Sequence, residues 1–324
     1  MQKAPSDDER TGSSRATRIV ARRSLGLACA LFFVGCDVEK ANWHYHDPLN
    51  YDLYAVEYAA GTFVSVGQRE SILNSADGET FVRQRSDCCD QLRAVSFGNG
   101  LWLAAGRDGI VYTSTDTANW FAQHLHTDKT LRGAAYGNGV WVIVGDDGRI
   151  FRSINAGAWS AVDSGTSRSL RDVVFEDGRF VAVGGRGEIL SSVDGETWTL
   201  EHSGLSEMLL GVGWGNGLFV AVGDHGIILT SPDATNWTPE LSPISRDFEE
   251  IVYANGLYVV VGNDGVVLTS PDGMDYTLRD SGTDRDLDSV THGQGVFVAV
   301  GHDSRLISST DGINWVGIGP PRNR

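Results

Sequence analysis

Residues 209–237 read LLGVGWGNGLFVAVGDHGIILTSPDATNW. Three short apolar segments stand here between turn signals: Leu209 to Trp214, Leu218 to Val222, and Ile227 to Thr230. Asn216-Gly217 separates the first two, and an Asn-Gly pair between apolar runs is a strong hairpin signal because both central residues take positive φ. Gly223-Asp224-His225-Gly226 closes the second segment, and Ser231 to Asn236 turns the chain so that Trp237 opens a fourth. The second segment is apolar at nearly every position instead of alternating, so it is expected to be covered on both faces.

The same phrase recurs along the chain. Leu53, Leu92, Leu131, Leu170, Leu209, Phe248 and Leu287 are spaced by 39 residues, and so are Phe81, Trp120, Trp159, Trp198, Trp237, Tyr276 and Trp315. Two apolar series in register over seven units define a repeat protein. One four-stranded meander cannot bury both faces of its second strand alone. Copies stacked around an axis can, and a closed ring removes most exposed edges. A linear solenoid would need distinct terminal caps, which these units lack. The expected fold is therefore all-β, a seven-bladed propeller of four-stranded antiparallel blades over 53–324, with units starting at 53, 92, 131, 170, 209, 248 and 287. Residues 36–52 read as a linker. Either Asn42-Trp43 within it or Trp315-Val316-Gly317-Ile318 can supply the strand that completes the last blade.

Residues 1–35 differ from the rest. Arg15, Arg18, Arg22 and Arg23 precede an apolar run from Leu25 to Gly35, and Cys36 follows. This is the pattern of a signal peptide, too short to span a bilayer as a permanent helix. Phe33-Val34-Gly35-Cys36 resembles a bacterial lipobox, which implies lipidation at Cys36 and export to the cell envelope; an ordinary cleaved signal is the plainer alternative. Arg22-Arg23-Ser24-Leu25 is a weak match to a twin-arginine signal.

Composition narrows the partners. The chain has 26 basic and 42 acidic residues, and without residues 1–35 the balance is 20 against 39. Such a surface repels phosphate backbones, so nucleic acid is not an expected partner, and a membrane is expected only through a lipid anchor. Four cysteines, two of them in or beside the signal, make no disulfide framework.

The turns between third and fourth strands read Ser-x-Asp-Gly-x-x-aromatic in four units, at Ser75 to Phe81, Ser192 to Trp198, Ser270 to Tyr276 and Ser309 to Trp315. Ser114 to Trp120 and Ser231 to Trp237 keep the outline without Gly, and Ser153 to Trp159 has lost the Asp. This motif resembles the Asp box of the bacterial neuraminidase repeat family of propellers. The whole repeat over 53–324 is similar to that of the photosystem II assembly and stability factors. The box has one residue fewer than usual between Asp and the aromatic. Asp accepts backbone N–H groups, Gly takes positive φ and the aromatic anchors the turn, so the motif marks architecture.

Meander order puts the Asn-Gly and Asp-box turns on one face, nearly invariant between units. The second-to-third loops and the blade connections share the other, which varies, and variable loops on a fixed scaffold are where binding resides. Those loops carry Arg69 and Glu70, Arg107 and Asp108, Asp146 and Asp147, Arg186, Asp224 and His225, Asp264, and His302 and Asp303, expected as a charged, mostly acidic ring near the axis. A solvated rim is the bland reading of the same residues. His44, His46, Cys88, Cys89, His124 and His126 lie in three successive connections and could converge on Zn²⁺ or Cu, while Cys88-Cys89 could equally form a vicinal disulfide. Otherwise no cofactor is expected.

No Gly-x-Ser-x-Gly elbow or His-Glu-x-x-His pair occurs. Sialidases, which share Asp boxes, need an arginine triad, a Tyr–Glu pair and an acidic Asp, usually on six blades; no N-terminal arginine motif of that family is found, and the count here is seven. The expected function is that of a monomeric, non-catalytic binding or assembly scaffold for a protein or polysaccharide partner. The alternative is a sialidase-like glycoside hydrolase or lyase using carboxylates of the variable face.

Overall fold

The structure, a computed structural model, describes residues 51–69, 71–85, 91–319 and 322–323. The signal segment, Cys36, His44, His46, Asn42-Trp43, Glu70 and Cys88-Cys89 lie outside the described residues. Seven antiparallel sheets form, each with four strands drawn from a single 39-residue unit. In the fifth unit the strands are Leu209–Gly215, Leu218–Gly223, Ile228–Ser231 and Thr238–Pro239. The other blades repeat this order, and helix among the described residues is confined to single 3₁₀ turns between second and third strands.

The first strands, Leu53–Ala59, Leu92–Gly98, Leu131–Gly137, Leu170–Glu176, Leu209–Gly215, Phe248–Ala254 and Leu287–Gly293, pack against one another around the axis, with the seventh against the first. Among the described residues no strand is exchanged within the four-stranded blades at ring closure. Val316–Gly317 completes the last blade from its own unit, and Arg322–Asn323 adds a parallel strand outside the first blade, beside Val82 and Arg83. The seam is held by packing of Leu53, Val56, Phe63 and Phe81 against Val298, Val300 and Leu306. Across it the Ser289 and Thr291 hydroxyls accept the Val56 and Tyr58 N–H groups at 3.2 and 3.3 Å. Such bridges satisfy edge N–H groups that cannot pair with a neighbouring strand.

The doubly covered second strands explain the apolar sequence. Val140–Gly145 is buried throughout. Val220 and Val222 of the fifth blade face Phe248, Ile251 and Val260 of the sixth. Seven such interblade layers replace one central core, each fully buried aliphatic side chain contributing about 1.5–3 kcal/mol.

Two local devices fix the geometry. In the box at Ser309, that hydroxyl accepts Gly312 N–H at 2.8 Å, Asp311 Oδ1 accepts the Ile313 and Asn314 N–H groups at 2.8 Å, and Trp315 Nε1 donates to the Gly312 carbonyl. The shortened box thus forms a closed turn. The unit that lacks Asp uses Asn155, whose Oδ1 accepts the Gly157 and Ala158 N–H groups at 2.9 and 3.0 Å. Secondly, in four blades the aromatic near the end of the first strand lies over the preceding blade's strand end. A Cβ on Gly98, Gly137, Gly215 or Gly293 would overlap the ring of Tyr136, Phe175, Tyr253 or Tyr58 respectively. His292 takes the aromatic place in the seventh blade, its ring centroid 4.5 Å from that of Phe297.

Candidate functional site

Each first strand begins with a register shift. Leu53 pairs with Gly67 but Ala55 with Val66, so residue 54 bulges, and the shift recurs in every blade. A bulge re-aims its side chain. Here the bulged residues are Tyr54, Arg93, Arg132, Arg171, Leu210, Glu249 and Asp288, and all seven line an axial cavity of about 350 Å³. Because they stand at the start of the first strand, this mouth opens on the variable face.

The ring is sorted by charge. Arginines occupy blades two to four, carboxyls blades six and seven, and Leu210 and Tyr54 the two borders. The Arg93 guanidinium lies 3.6 Å from the Tyr54 ring centroid and donates to Gln91 Oε1 at 2.8 Å. Arg132 Nε donates to Asp146 Oδ1 at 2.6 Å and Nη2 to Oδ2 at 3.1 Å. Burial works against the Asp146 charge, yet this guanidinium holds its carboxyl below the usual range. Arg171 is half-buried and makes no hydrogen bond or ion pair among the described residues. Burial lowers the pKa of both Arg93 and Arg171, the mark of guanidinium charges with little hydration.

On the acidic side, burial pushes Asp288 up to about 8 and raises Glu249, with neighbouring carboxylates adding to both. Asp288 Oδ2 has no hydrogen-bond partner, and His302 Nε2 stands 3.6 Å from it while its Nδ1 lies 3.2 Å from Asp286 Oδ2. On the Tyr54 side, Gln68 Nε2 donates to the Tyr54 hydroxyl at 2.8 Å and to Asp52 Oδ2.

Further along the channel, Glu57, Asp172 and Glu250 line the wall. Glu57 accepts Phe97 N–H at 3.3 Å, Asp172 accepts Val173 and Val212 N–H at 2.7 and 3.0 Å, and Glu250 accepts Ile251 N–H at 2.9 Å. All three are half-buried among the inner strands. The lost solvation pushes Glu57 to about 8 and Asp172 to about 6, and it raises Glu250 well above its usual value, aided by the Asp172 charge. Gly211 stands between the last two, leaving room for Glu250 Oε1.

The loop residues singled out in the sequence form an outer rim. Asp108, Asp147, Arg186, His225, Asp264 and Asp303 are each the central, positive-φ residue of a 3₁₀ turn, and Arg69 has the same φ in the first blade. These six turn residues are exposed, and Arg107 beside Asp108 is too. Three of the acids are tied to a basic residue of the connection leading into their own blade: Lys129 to Asp147 at 3.0 Å, Arg246 to Asp264 at 2.7 Å and Arg285 to Asp303 at 3.1 Å. In the fourth blade that pair is replaced by two arginines, Arg168 and Arg186, beside a cavity of about 510 Å³ that Asp224 and His225 also line. Asp146 and His302 reach the axial ring, as partners of Arg132 and Asp288. His124 and His126 are exposed, and no group of three or more metal-ligating side chains occurs among the described residues. The axial ring itself escaped the sequence reading, which followed loops. Its signal was the residue after each anchoring Leu or Phe, read down the 39-residue register.

Fold and mouth together define a repeat-built β-propeller with a charge-sorted opening on one face of the ring. Residues 38–292, more than half the chain, match the family described as photosynthesis system II assembly factor YCF48, and the chain belongs to that family. The solved structure of YCF48 bound to D1 peptide is similar, with 20% identity and a TM-score of 0.66 over 81% of this chain and 94% of that one. YCF48 from Cyanidioschyzon merolae shares 15% identity with a TM-score of 0.57, covering 71% of this chain and 87% of the other. The WD40 propeller domain of Doa1 shares 14% with a TM-score of 0.65, over 82% and 96%. At these identities the likeness is one of fold. Among curated proteins nothing matches.

Proposed function

We propose that this chain is an exported, non-catalytic assembly factor that holds a carboxylate-bearing segment of a partner protein at the axial mouth. The observation that carries this reading is Arg171, a half-buried guanidinium with no hydrogen-bonded carboxylate, standing beside Arg132 and two blades from Arg93 in an otherwise acidic protein. A desolvated guanidinium lacking a partner is costly unless a ligand supplies one, and its planar fork fits a carboxylate. The similar YCF48 structure is of a protein bound to D1 peptide, which supports a polypeptide over a polysaccharide as the partner. Export rests on the signal-like residues 1–35, and anchoring at the envelope on the lipobox-like Cys36.

The test uses short fluorescein-labelled Gly/Ser peptides that end in a free carboxylate or in an amide. Carboxylate peptides are expected to bind about tenfold tighter than amide peptides, and Arg171→Gln should remove that difference. Equal binding of both forms refutes the reading. Turnover of aryl glycosides that is lost in Glu249→Gln would restore the hydrolase alternative.

A further inference from the structure

We propose that Glu249 and Asp288 read a cationic side chain carried close to the carboxylate that the arginines hold, so that the preferred ligand is a peptide end bearing both charges, bound in one orientation. This rests on the reading of the mouth as a carboxylate receptor and adds the specificity of its other half. A ring built only to hold an anion would gain nothing from carboxyls in the same circle, because each weakens the field at the guanidinium groups. Here the charges are segregated instead of interleaved, with Leu210 and Tyr54 at the two borders. A ligand bridging the cavity therefore meets a positive wall and a negative wall. Reversing it would set like charges against each other, which is how a site discriminates orientation.

Asp288 supplies the second observation. It lines the cavity, its side chain is 16% exposed, and its Oδ2 is a buried acceptor with no hydrogen-bond partner. A lysine ammonium or arginine guanidinium brings the missing donors, and Leu210 offers an apolar surface to the aliphatic stem. The groups facing Asp288 are Glu249 on the sixth inner strand, Arg93 on the second, Tyr54 on the first with Asp52 ahead of it, and Asp286 and His302 in its own blade. Burial, and then the three carboxylates among these, raise its affinity for a proton, so a cationic ligand must displace that proton. Affinity for such a ligand then increases as pH rises from 6 towards 8.

The experiment compares short fluorescein-labelled Gly/Ser peptides with a free terminal carboxylate and Lys at successive positions before it against the same peptides carrying Gln, with free lysine as competitor. At least one Lys peptide is expected to bind about tenfold tighter than its Gln counterpart at pH 8, with a smaller margin at pH 6. In the Glu249→Gln/Asp288→Asn variant the margin disappears while the Gln peptides bind as well as before or better, which also shows that the ring is intact. Loss of binding of both peptide series in that variant, or no Lys preference in the parent protein, overturns the inference alone. Free lysine competing as well as the peptide overturns the peptide assignment. Failure of every carboxylate peptide to bind overturns the reading of the mouth and the inference with it.

Discussion

Arg132 and Asp146 form a two-pronged pair at the edge of the mouth, both side chains less than a quarter exposed. The pair gives the second of three arginines an internal carboxylate, which any incoming carboxylate must compete with. Asp146→Asn keeps the shape and removes the charge. Expected outcomes are a loss of about 1–2 kcal/mol in stability and a several-fold gain in affinity for carboxylate peptides at low salt. Denaturant unfolding and fluorescence anisotropy on the same variant check both, and weaker peptide binding would show that Asp146 positions Arg132 instead of competing for it.

The Asp boxes offer a comparison within one molecule. Asn155 already does in the third blade what Asp does elsewhere, accepting two backbone N–H groups through Oδ1. Asp194 in the fourth blade accepts Glu196 and Thr197 N–H, both at 2.8 Å. Asp194→Asn should therefore be nearly neutral, whereas Asp194→Ala abandons both N–H groups and should lower the melting temperature by about 3 °C. Equal effects of the two substitutions would mean that the carboxylate charge, not acceptance by Oδ1, holds the turn.

The fold was largely legible because it is written seven times. A leucine and an aromatic at constant spacing, with Asn-Gly between apolar runs, mark strands and hairpins that one copy alone would leave ambiguous, and of the two segments left open for the last blade it is Trp315-Val316-Gly317-Ile318 that supplies the strand, through Val316–Gly317. The mouth was not legible for the same reason. Repetition draws the eye to positions that stay constant, while Arg93, Leu210 and Glu249 occupy a position whose only constant property is its place after the anchor. That it faces the axis depends on a bulge, set by backbone pairing and not by any residue type at the position. The rim loops were located correctly along the chain, but the ion pairs of Asp147, Asp264 and Asp303 join residues 18 apart across a blade connection, a relation visible only once both loops share a face.

Gly293 and Tyr58 set the seam between last and first blades. The ring occupies the space where a Cβ at 293 would stand, and the same contact holds Gly98 to Tyr136 within the continuous chain. Gly293→Ala must push the ring off its partner Phe63, with centroids now 4.6 Å apart. Overpacking of this kind costs about 1–3 kcal/mol. The ring should open first at this seam, because among the described residues the only strand that crosses it is the two-residue Arg322–Asn323. Hydrogen exchange of Val56 and Tyr58 N–H, bonded across the seam, should accelerate in Gly293→Ala but not in Gly98→Ala. Equal acceleration at both sites would indicate that the ring unfolds as a whole.

The channel carboxyls make stability depend on pH in a stated direction. Glu57 is raised from 4.5 to about 8, chiefly by burial, despite the Phe97 N–H and the Ser96 hydroxyl that favour its charge. Between those values the folded chain keeps a proton that the unfolded chain has lost. Its stabilisation is therefore complete below about pH 4.5 and lost as pH rises through 8. Asp172, Glu250 and Asp288 shift the same way. Asp77 has the opposite sign, drawn down to about 2 first by the Thr80 N–H, but its contribution is lost only in strong acid. The melting temperature should thus fall between pH 5 and pH 9. Glu57→Gln replaces the protonated acid by an amide that never charges, so it should match the parent protein near pH 5 and exceed it by about 5 °C at pH 9. Calorimetry at the two pH values decides the matter. If both proteins lose the same number of degrees, Glu57 is ionised in the folded ring and is better solvated than its burial implies.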